Sequence, residues 1–301
     1  MTILELKGIS KSFGEKMILK DADYRFERNK IYGFIGPNGV GKTTTIKMIL
    51  GLLSPDAGSI TVDGRAVVFG ETVTNQLIGY LPDVPDFYHY MNAEEYLMLC
   101  GRMTHVPKLV LSERVSTLLK KVGLENSKVK IAKYSRGMKQ RLGIAQALIN
   151  EPAILICDEP TSALDPKGRN EILGILEQIK VHTTVIFSTH ILADVESICD
   201  EIIMLTRQQL LSMDEVKSMS SLKNMMSIEL LISDDEKKRL SEHHALITHY
   251  GKTIINIEMN GKTKEEVISY LYHVLSNLHI YPEYLSINDQ TLEHLYMEAM
   301  K

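Results

Sequence analysis

The sequence predicts an α/β protein in which a large domain with a mixed sheet is followed by a smaller α+β domain. A strand, a glycine-rich loop and a helix follow one another over residues 31–49. The continuous apolar run at residues 153–157 is typical of a strand buried inside a parallel sheet. After residue 224, short strand patterns alternate with amphipathic helical patterns, which predicts a separate unit.

Length and composition agree with this division. The chain has 301 residues, of which 44% are apolar and 24% charged, as in ordinary globular proteins. We predict a domain at residues 1–213 with a helical subdomain at about 84–150, a linker at 214–224, and an α+β accessory domain at 225–301. The formal net charge of −4 gives no electrostatic footprint for nucleic acid, so no nucleic-acid partner is expected.

The N-terminal residues alternate as strands do. Ile3 to Leu6 predicts one strand, Ser10 to Gly14 predicts a turn, and further strands are predicted near Ile18 and at Ala22 to Phe26. Phe13 comes just before Gly14. An exposed ring there would stack on a purine base, although an aromatic in a hairpin is more often a packing residue.

The segment after the strand Ile31 to Ile35 has the pattern G-x-x-x-x-G-K-[ST], a phosphate loop between a strand and a helix that begins at Lys42. Glycines let the backbone N–H groups approach phosphate oxygens, and the helix start adds further unpaired donors. Lys42 is expected on the β- and γ-phosphates, the Thr43 hydroxyl on Mg²⁺, and Thr44 near the α-phosphate. The predicted nucleotide-binding residues of this loop are Gly36, Asn38, Gly39, Val40, Gly41, Lys42, Thr43 and Thr44.

Asp83 follows the predicted short strand Ile78 to Leu81 and the proline that stops it. A carboxylate at this position would meet Mg²⁺ or a water near the phosphates. It would equally serve as the cap of a helix that begins around Asn92 to Glu95. Both interpretations stay open at the level of the sequence.

Residues 93–133 have helical periodicity, and a further helix is predicted to begin after Ser135, a good N-cap residue. The first turn of that helix contains Arg136 and Lys139. Positive charge at a helix N-terminus opposes the helix dipole. The mismatch indicates that an anion is expected there.

Two carboxylates, Asp158 and Glu159, end the buried strand at residues 153–157. Two acids there could form a surface turn, but the apolar strand places them at the carboxyl edge of a sheet, where α/β proteins bind ligands. Asp158 is then a candidate Mg²⁺ ligand, and Glu159 a candidate base for the attacking water. His190, after the strand Thr184 to Ser188, is a candidate contact to the γ-phosphate.

Taken in order, these motifs resemble those of the nucleotide-binding subunits of ABC transporters, over about the first 210 residues. The resemblance is carried by the phosphate loop, the S-R-G-M sequence at Ser135, the Asp158-Glu159 strand end, the Ser162 to Asp165 loop and His190. It implies a P-loop NTPase fold, with a RecA-like mixed-sheet core, an N-terminal antiparallel β subdomain and a helical subdomain.

The resemblance also implies a function. Two subunits, a homodimer or a pair of paralogues, would enclose ATP and Mg²⁺ head to tail and power separate transmembrane permease subunits. Glu159 would be the catalytic base, His190 the γ-phosphate sensor and Phe13 the base-stacking aromatic. Asp165 would communicate between the two subunits. The cross-dimer nucleotide contacts would be Ser135, Arg136, Gly137, Met138 and Asp165, and the metal contacts Thr43, Asp158 and Asp83.

Two positions depart from the family pattern. Arg136 and Met138, with Tyr134 before them, replace three positions of the usual L-S-G-G-Q signature, while Ser135 and Gly137 remain. Asp83 stands where the family usually has glutamine. An acidic residue there, with K-Q-R after the signature, resembles the exporter-type branch, which predicts export of a small molecule or peptide.

The chain is expected to be cytoplasmic and to bind peripherally to the inner face of the cell membrane. Its three cysteines fit no metal spacing, which favours free thiols in a reducing compartment. No signal peptide is visible, and the apolar runs are too short to span a bilayer. A soluble ABC-type ATPase without a transport partner is the alternative. The role of residues 225–301, dimer stabilisation or docking to the membrane subunit, stays open.

Overall fold

The computed structural model describes residues 1–70, 73–125, 128–206, 208–219, 225–244, 246–249, 252–259, 262–288 and 292–299. The chain forms two compact units, Met1–Met213 and Asp214–Lys301. Within the described residues, no helix is both long enough and apolar enough to cross a membrane.

The first unit alternates strands and helices along most of its length. Its strands are β1 (Thr2–Phe13), β2 (Lys16–Glu27), β3 (Ile31–Ile35), β4 (Ala57–Val62), β5 (Arg65–Ala66), β6 (Ile78–Leu81), β7 (Ile154–Asp158), β8 (Thr184–Thr189), β9 (Glu201–Thr206) and β10 (Gln209–Ser212). Its helices are α1 (Lys42–Ile49), α2 (Ala93–Met103), α3 (Lys108–Lys121), α4 (Arg136–Ala147), α5 (Pro166–Ile179) and α6 (Leu192–Ile198).

The central sheet has the strand order β10-β9-β3-β8-β7-β6. Strands β9, β3, β8, β7 and β6 run parallel, and β10 is antiparallel at one edge. Every residue of β3, β7 and β8 is buried, as the apolar runs predicted. Since parallel strands end on the same side, the residues after β3, β6, β7 and β8 meet at one edge of the sheet.

A second sheet, order β2-β1-β4-β5, is antiparallel and forms the predicted N-terminal β subdomain. The predicted turn at Ser10 to Gly14 is wrong, because β1 continues to Phe13, which pairs with Lys16 across the turn. Irregular register between Ile9 and Lys11 bends the strand without ending it. The two strands predicted near Ile18 and at Ala22 to Phe26 are one strand, β2.

Helices α2, α3 and α4 form the helical region that the periodicity predicted. Asn92 caps α2 in a capping box, since its side chain accepts from the Glu95 N–H and the Glu95 carboxylate accepts from the Asn92 N–H. The interpretation of Asp83 as the cap of this helix is therefore wrong. Ser135 caps α4 as expected, accepting a hydrogen bond of 3.2 Å from the Met138 N–H.

The second unit has the strand–helix order of a ferredoxin-like βαββαβ fold. Its elements are α7 (Met213–Met219), β11 (Met225–Leu231), α8 (Asp234–Ser241), β12 (Leu246–His249), β13 (Lys252–Glu258), α9 (Lys264–Asn277), β14 (Tyr284–Asn288) and α10 (Leu292–Ala299). The strands form an antiparallel sheet of order β12-β13-β11-β14. One face of α9, through Val267, Leu271 and Leu275, packs into its core.

Two features of this unit differ from the sequence prediction. Strand β12 was not predicted, and α7 occupies the first part of the range predicted as a linker, while residues 220–224 of that range lie outside the described residues. The alternation of short strands and helices predicted after residue 224 is present.

Candidate functional site

The loop between β3 and α1 lies close to neighbouring backbone and side chains. A Cβ on Gly36 would come within 2.8 Å of the Leu205 carbonyl oxygen, and one on Gly41 within 2.4 Å of Ile18 Cγ2. Gly41 also has φ +125, a conformation that favours glycine. Gly39, by contrast, has φ +76, and a Cβ added there would meet nothing within 4 Å. The loop is therefore packed on one side and accessible on the other.

The start of α1 is suited to an anion. No side chain caps this helix, and its first turn contains no acidic residue. Its N-terminal backbone donors and the positive end of its dipole are thus left for a ligand. Lys42 is only 6% exposed, and its Nζ donates a hydrogen bond of 2.7 Å to the Gly36 carbonyl oxygen.

Asp158, at the end of β7, is fixed by two hydroxyl groups. Its Oδ2 accepts from Thr43 Oγ1 at 2.8 Å, and its Oδ1 accepts from Ser188 Oγ at 2.5 Å. The side chain is buried at 5% exposure. A hydroxyl and a carboxylate in contact are oxygen donors of the type that Mg²⁺ binds, so Thr43 and Asp158 fit a magnesium site.

Glu159 has a left-handed backbone, φ +50, and its N–H donates to the Ser188 carbonyl oxygen at 3.1 Å. Its Oε2 lies 2.8 Å from His190 Nδ1. Its Oε1 is buried, lies 3.4 Å from Lys42 Nζ and accepts no hydrogen bond from the described residues. A buried carboxylate oxygen with unused acceptor capacity fits a group that binds and deprotonates a water.

These residues surround a cavity of about 540 Å³ at the carboxyl edge of the central sheet. It brings together Phe13, the phosphate loop and the three carboxylates predicted as site residues. The lining residues are Phe13, Lys16, Ile18, Pro37, Asn38, Gly39, Gly41, Lys42, Thr43, Thr44, Asp83, Asp158 and Glu159. Phe13 is half exposed, and the Lys11 ammonium lies 5.4 Å from its ring centroid.

Besides Pro37, which lies within the predicted phosphate loop, three residues of this site were missed from the sequence. Lys16 and Ile18 line the cavity, and Lys16 Nζ donates to the Gly39 carbonyl oxygen at 3.2 Å. Ser188 contacts both Asp158 and Glu159. Ser188 could have been predicted, because it is a hydroxyl residue at the carboxyl end of a buried apolar strand. Lys16, a lysine after a turn, has no feature in the sequence that indicates a site residue.

The five residues predicted as cross-dimer contacts do not line this cavity. Ser135 and Arg136 begin α4 and are exposed, and Gly137 and Met138 follow them half-buried. Asp165 is exposed and caps α5, accepting from the Gly168 N–H at 3.1 Å. In a single chain these five residues do not join the phosphate loop.

Asp83 combines a cavity-lining position with contacts to α4. Its Oδ1 lies 3.3 Å from Arg136 Nη2, and its backbone carbonyl oxygen accepts from Gln140 Nε2 at 2.8 Å. Neither contact was predicted from the sequence.

A buried charge cluster links α5 to α6, next to the loops that carry Asp165 and His190. Asp194 on α6 accepts from Thr161 Oγ1 at 2.7 Å and from Arg169 Nη2 at 2.5 Å. Asp194 is 3% exposed, so the carboxylate depends on these two partners for its hydrogen bonds.

Two other ionisable groups near the sheet edge are kept neutral. Burial, with a further contribution from the negative charge of Asp158, raises the pKa of Tyr80 to about 12. Burial also raises the pKa of the Cys157 thiol, and Asp158 adds to this shift. Neither group therefore contributes a charge near Asp158 at neutral pH.

The fold and the site define a class. A glycine-rich loop between a parallel strand and an uncapped helix, with Lys42, Thr43 and Asp158 around one cavity, is the arrangement of a P-loop nucleoside triphosphate-binding domain.

Comparison with known proteins narrows this class to a family. The family model described as ABC transporter matches residues 19–162. An uncharacterized ABC transporter ATP-binding protein, YxlF of Bacillus subtilis (strain 168), is 41% identical over 209 residues, which cover 69% of this chain and 69% of that protein. The linearmycin resistance ATP-binding protein LnrL of the same organism is 32% identical over 302 residues, 98% of this chain and 97% of that protein.

A solved structure agrees. An ATP-binding subunit of an ABC transporter superposes with a TM-score of 0.64 at 31% identity, covering 72% of this chain and 92% of that one. The chain belongs to the ABC transporter family, as one of its ATP-binding proteins. Proteins of this family bind ATP and are generally ATPases.

Proposed function

We propose that this chain is the ATP-hydrolysing subunit of an exporter, and that it powers separate transmembrane permease subunits from the cytoplasmic face of the membrane. The observation that carries this proposal is the environment of Glu159. Glu159 is oriented by His190, lies beside Lys42, and has a buried oxygen whose acceptor capacity no described residue uses.

In this proposal, each residue of the cavity has one task. The loop N–H groups and Lys42 bind the β- and γ-phosphates, and Phe13 stacks on the base. Thr43 and Asp158 would hold Mg²⁺, with Asp83 as a further candidate, and the ion would neutralise phosphate charge during transfer. Glu159 accepts the proton of the water whose oxygen attacks the γ-phosphorus, while ADP leaves with the bridging oxygen. His190 keeps the Glu159 carboxylate in place and senses the γ-phosphate.

We further propose that two chains, identical or paralogous, complete the site. Ser135, Arg136 and Asp165 are exposed and lie off the cavity of their own chain, so they are accessible to a second chain. The helix start that Ser135 caps has a basic first turn without acidic residues. Together with Gly137 and Met138 it would face the γ-phosphate of an ATP held by the other subunit.

The export direction rests on two pieces of support. LnrL, which aligns over nearly the whole chain, is named for linearmycin resistance. The acidic residue Asp83 and the K-Q-R sequence after the signature resemble the exporter-type branch. We therefore propose a small molecule or peptide as the exported substrate.

Phosphate release from Mg-ATP tests the catalytic proposal. We expect hydrolysis by the wild-type chain and a loss of about a hundredfold or more in Glu159→Gln, because the amide cannot accept the proton. Glu177→Gln, an exposed substitution on α5, is the matched control and should leave the rate unchanged. Undiminished turnover in Glu159→Gln would remove Glu159 as the base.

Co-purification tests the transport proposal against the alternative of an ABC-type ATPase that acts without a transporter. The tagged chain, expressed in its native organism and extracted in mild detergent, should co-purify with a polytopic membrane protein. Recovery without any such protein, with full ATPase activity, would favour the alternative.

A further inference from the structure

Arg136 and Asp83, two residues that depart from the family pattern in separate motifs, contact each other in the structure. The Arg136 Nη2 atom lies 3.3 Å from Asp83 Oδ1, although the residues are 53 positions apart. Both side chains are close to half exposed, at 43% and 48%. An acidic residue in one motif is thus matched by a basic residue in the other, within one chain.

The backbone of Asp83 is attached to the same helix. Gln140, on α4, is 1% exposed, and its Nε2 donates a hydrogen bond of 2.8 Å to the Asp83 carbonyl oxygen. Because a buried amide donor without a partner is costly, this contact fixes Asp83 relative to α4.

The residues that flank Asp83 also pack on α4. A Cβ on Gly143 would come within 2.4 Å of Leu81 Cδ1 and 3.5 Å of Pro85 Cβ. The helix therefore presents bare backbone to this segment, which lies directly against it. With Asp83 held through its backbone and its neighbours, the Arg136 side chain stays within reach of the Asp83 carboxylate.

The other side of Asp83 faces the nucleotide cavity. Asp83 lines it together with Asp158 and Glu159, so three carboxylates surround a space that we propose for the phosphates of ATP. Negative carboxylates around a negatively charged phosphate chain oppose its binding, and a cation paired with one of the carboxylates reduces that opposition. Arg136 is the basic residue in contact with Asp83 among the ion pairs of the described residues.

We infer that Arg136 is a positioning residue for Asp83 in its own chain, which holds the carboxylate and offsets its charge toward bound nucleotide. The inference rests on the proposed function, since it assumes that the cavity binds ATP. It assigns Arg136 a task within one subunit, in addition to the cross-dimer contact proposed above.

A double-mutant cycle tests this inference without hydrolysis. The probe is N-methylanthraniloyl-ADP, titrated into dilute protein with Mg²⁺ chelated, so that neither metal contact nor ATP-driven dimerisation contributes. We expect Arg136→Ala to weaken binding about two- to fivefold, the range for a partly exposed ion pair. The loss should shrink as salt is raised, because exposed charges are screened.

The cycle is completed in the Asp83→Asn background. There, Arg136→Ala should have no effect beyond that of Lys139→Ala, which removes a positive charge from the same turn of α4. Arg136→Lys, which keeps the charge, should retain most of the wild-type affinity. Thermal unfolding of each variant checks its folding, and Arg136→Gln replaces Arg136→Ala if the alanine variant folds poorly.

The possible results distinguish failure of this inference from failure of the proposed function. Equal losses from Arg136→Ala with Asp83 and with Asn at that position would overturn the inference, and so would a loss no larger than that of Lys139→Ala. Loss of affinity that depends on Asp83 supports it. A wild-type chain that binds no nucleotide would overturn the proposed function itself, and this inference with it.

Discussion

The cluster formed by Thr161, Arg169 and Asp194 allows a quantitative prediction for Asp194→Ala. The Asp194 carboxylate accepts two short hydrogen bonds, of 2.7 Å and 2.5 Å, and is 3% exposed. Breaking a buried ion pair by removing one partner costs about 3–5 kcal/mol. The Arg169 side chain is 28% exposed and can regain water, so we expect the lower end, about 3 kcal/mol.

Calorimetric unfolding measures this loss. For a unit of this size, about 3 kcal/mol corresponds to a fall of roughly 6–12 °C in the melting temperature of the first unit. Asp194→Asn keeps the shape and one acceptor, so it should cost about half as much. Glu196→Ala, an exposed acid on the same helix, is the control and should change stability by less than about 0.5 kcal/mol. A loss below about 1 kcal/mol in Asp194→Ala would refute the reasoning.

Two further predictions concern stability. A Cβ on Gly79 would lie 2.2 Å from the Ala147 backbone oxygen, which cannot move aside as a side chain can, so Gly79→Ala should lower the free energy of unfolding in urea by about 3 kcal/mol. A Cβ on Gly174, in α5, would meet nothing within 4 Å, so Gly174→Ala should instead raise the free energy of unfolding by about 0.5–1 kcal/mol. Equal effects of the two substitutions would contradict this prediction. The Lys11 ammonium and the Ser12 backbone N–H hold the pKa of Asp56 below its usual value. The ionised Asp56 therefore contributes its full stabilisation of the folded state above the unfolded-state pKa, about 4, and this stabilisation is lost as pH falls through the lower folded-state pKa. The difference in melting temperature between wild type and Asp56→Asn should therefore narrow toward pH 2, and a constant difference would argue against this pairing.

The central sheet was predictable because its strands carry strong local signals. Strands β3 and β7 are largely continuous apolar runs; β3 is followed by the flexible Gly36, and β7 ends in the charged Asp158, a residue type that seldom occurs in the middle of a buried strand. In a parallel sheet, such strand ends converge on one edge. The cavity that contains the phosphate loop, Asp158 and Glu159 follows from that topology.

The wrong or missing predictions of secondary structure fall where tertiary contacts override local sequence patterns or where the pattern is weak. Ser10 to Gly14 has the composition of a turn, yet β1 continues through most of it because Ser10 pairs with Ala57 on β4 and Asp56 bonds the Ser12 N–H. Strand β12, Leu246–His249, was missed because its four residues, L-I-T-H, do not alternate between apolar and polar types.

The contacts between distant side chains could not be predicted. Arg136 and Asp83 lie 53 positions apart, and nothing in either motif specifies the other. Thr161 and Asp194 lie 33 positions apart in segments that look unrelated in the sequence. Such pairs depend on the packing of α4 and α6 against the sheet, which single-sequence periodicity does not determine.

The central claim, that the cavity is half of a composite ATP site, is tested most directly by light scattering on Glu159→Gln. With saturating Mg-ATP this variant should have twice the mass of one chain, and with ADP the mass of one. Gly137→Val should remain monomeric with ATP while still binding it, because a Cβ on Gly137 meets only Leu164 Cδ2, at 3.8 Å, within its own chain. A Glu159→Gln chain that binds ATP at saturation and stays monomeric would contradict the claim.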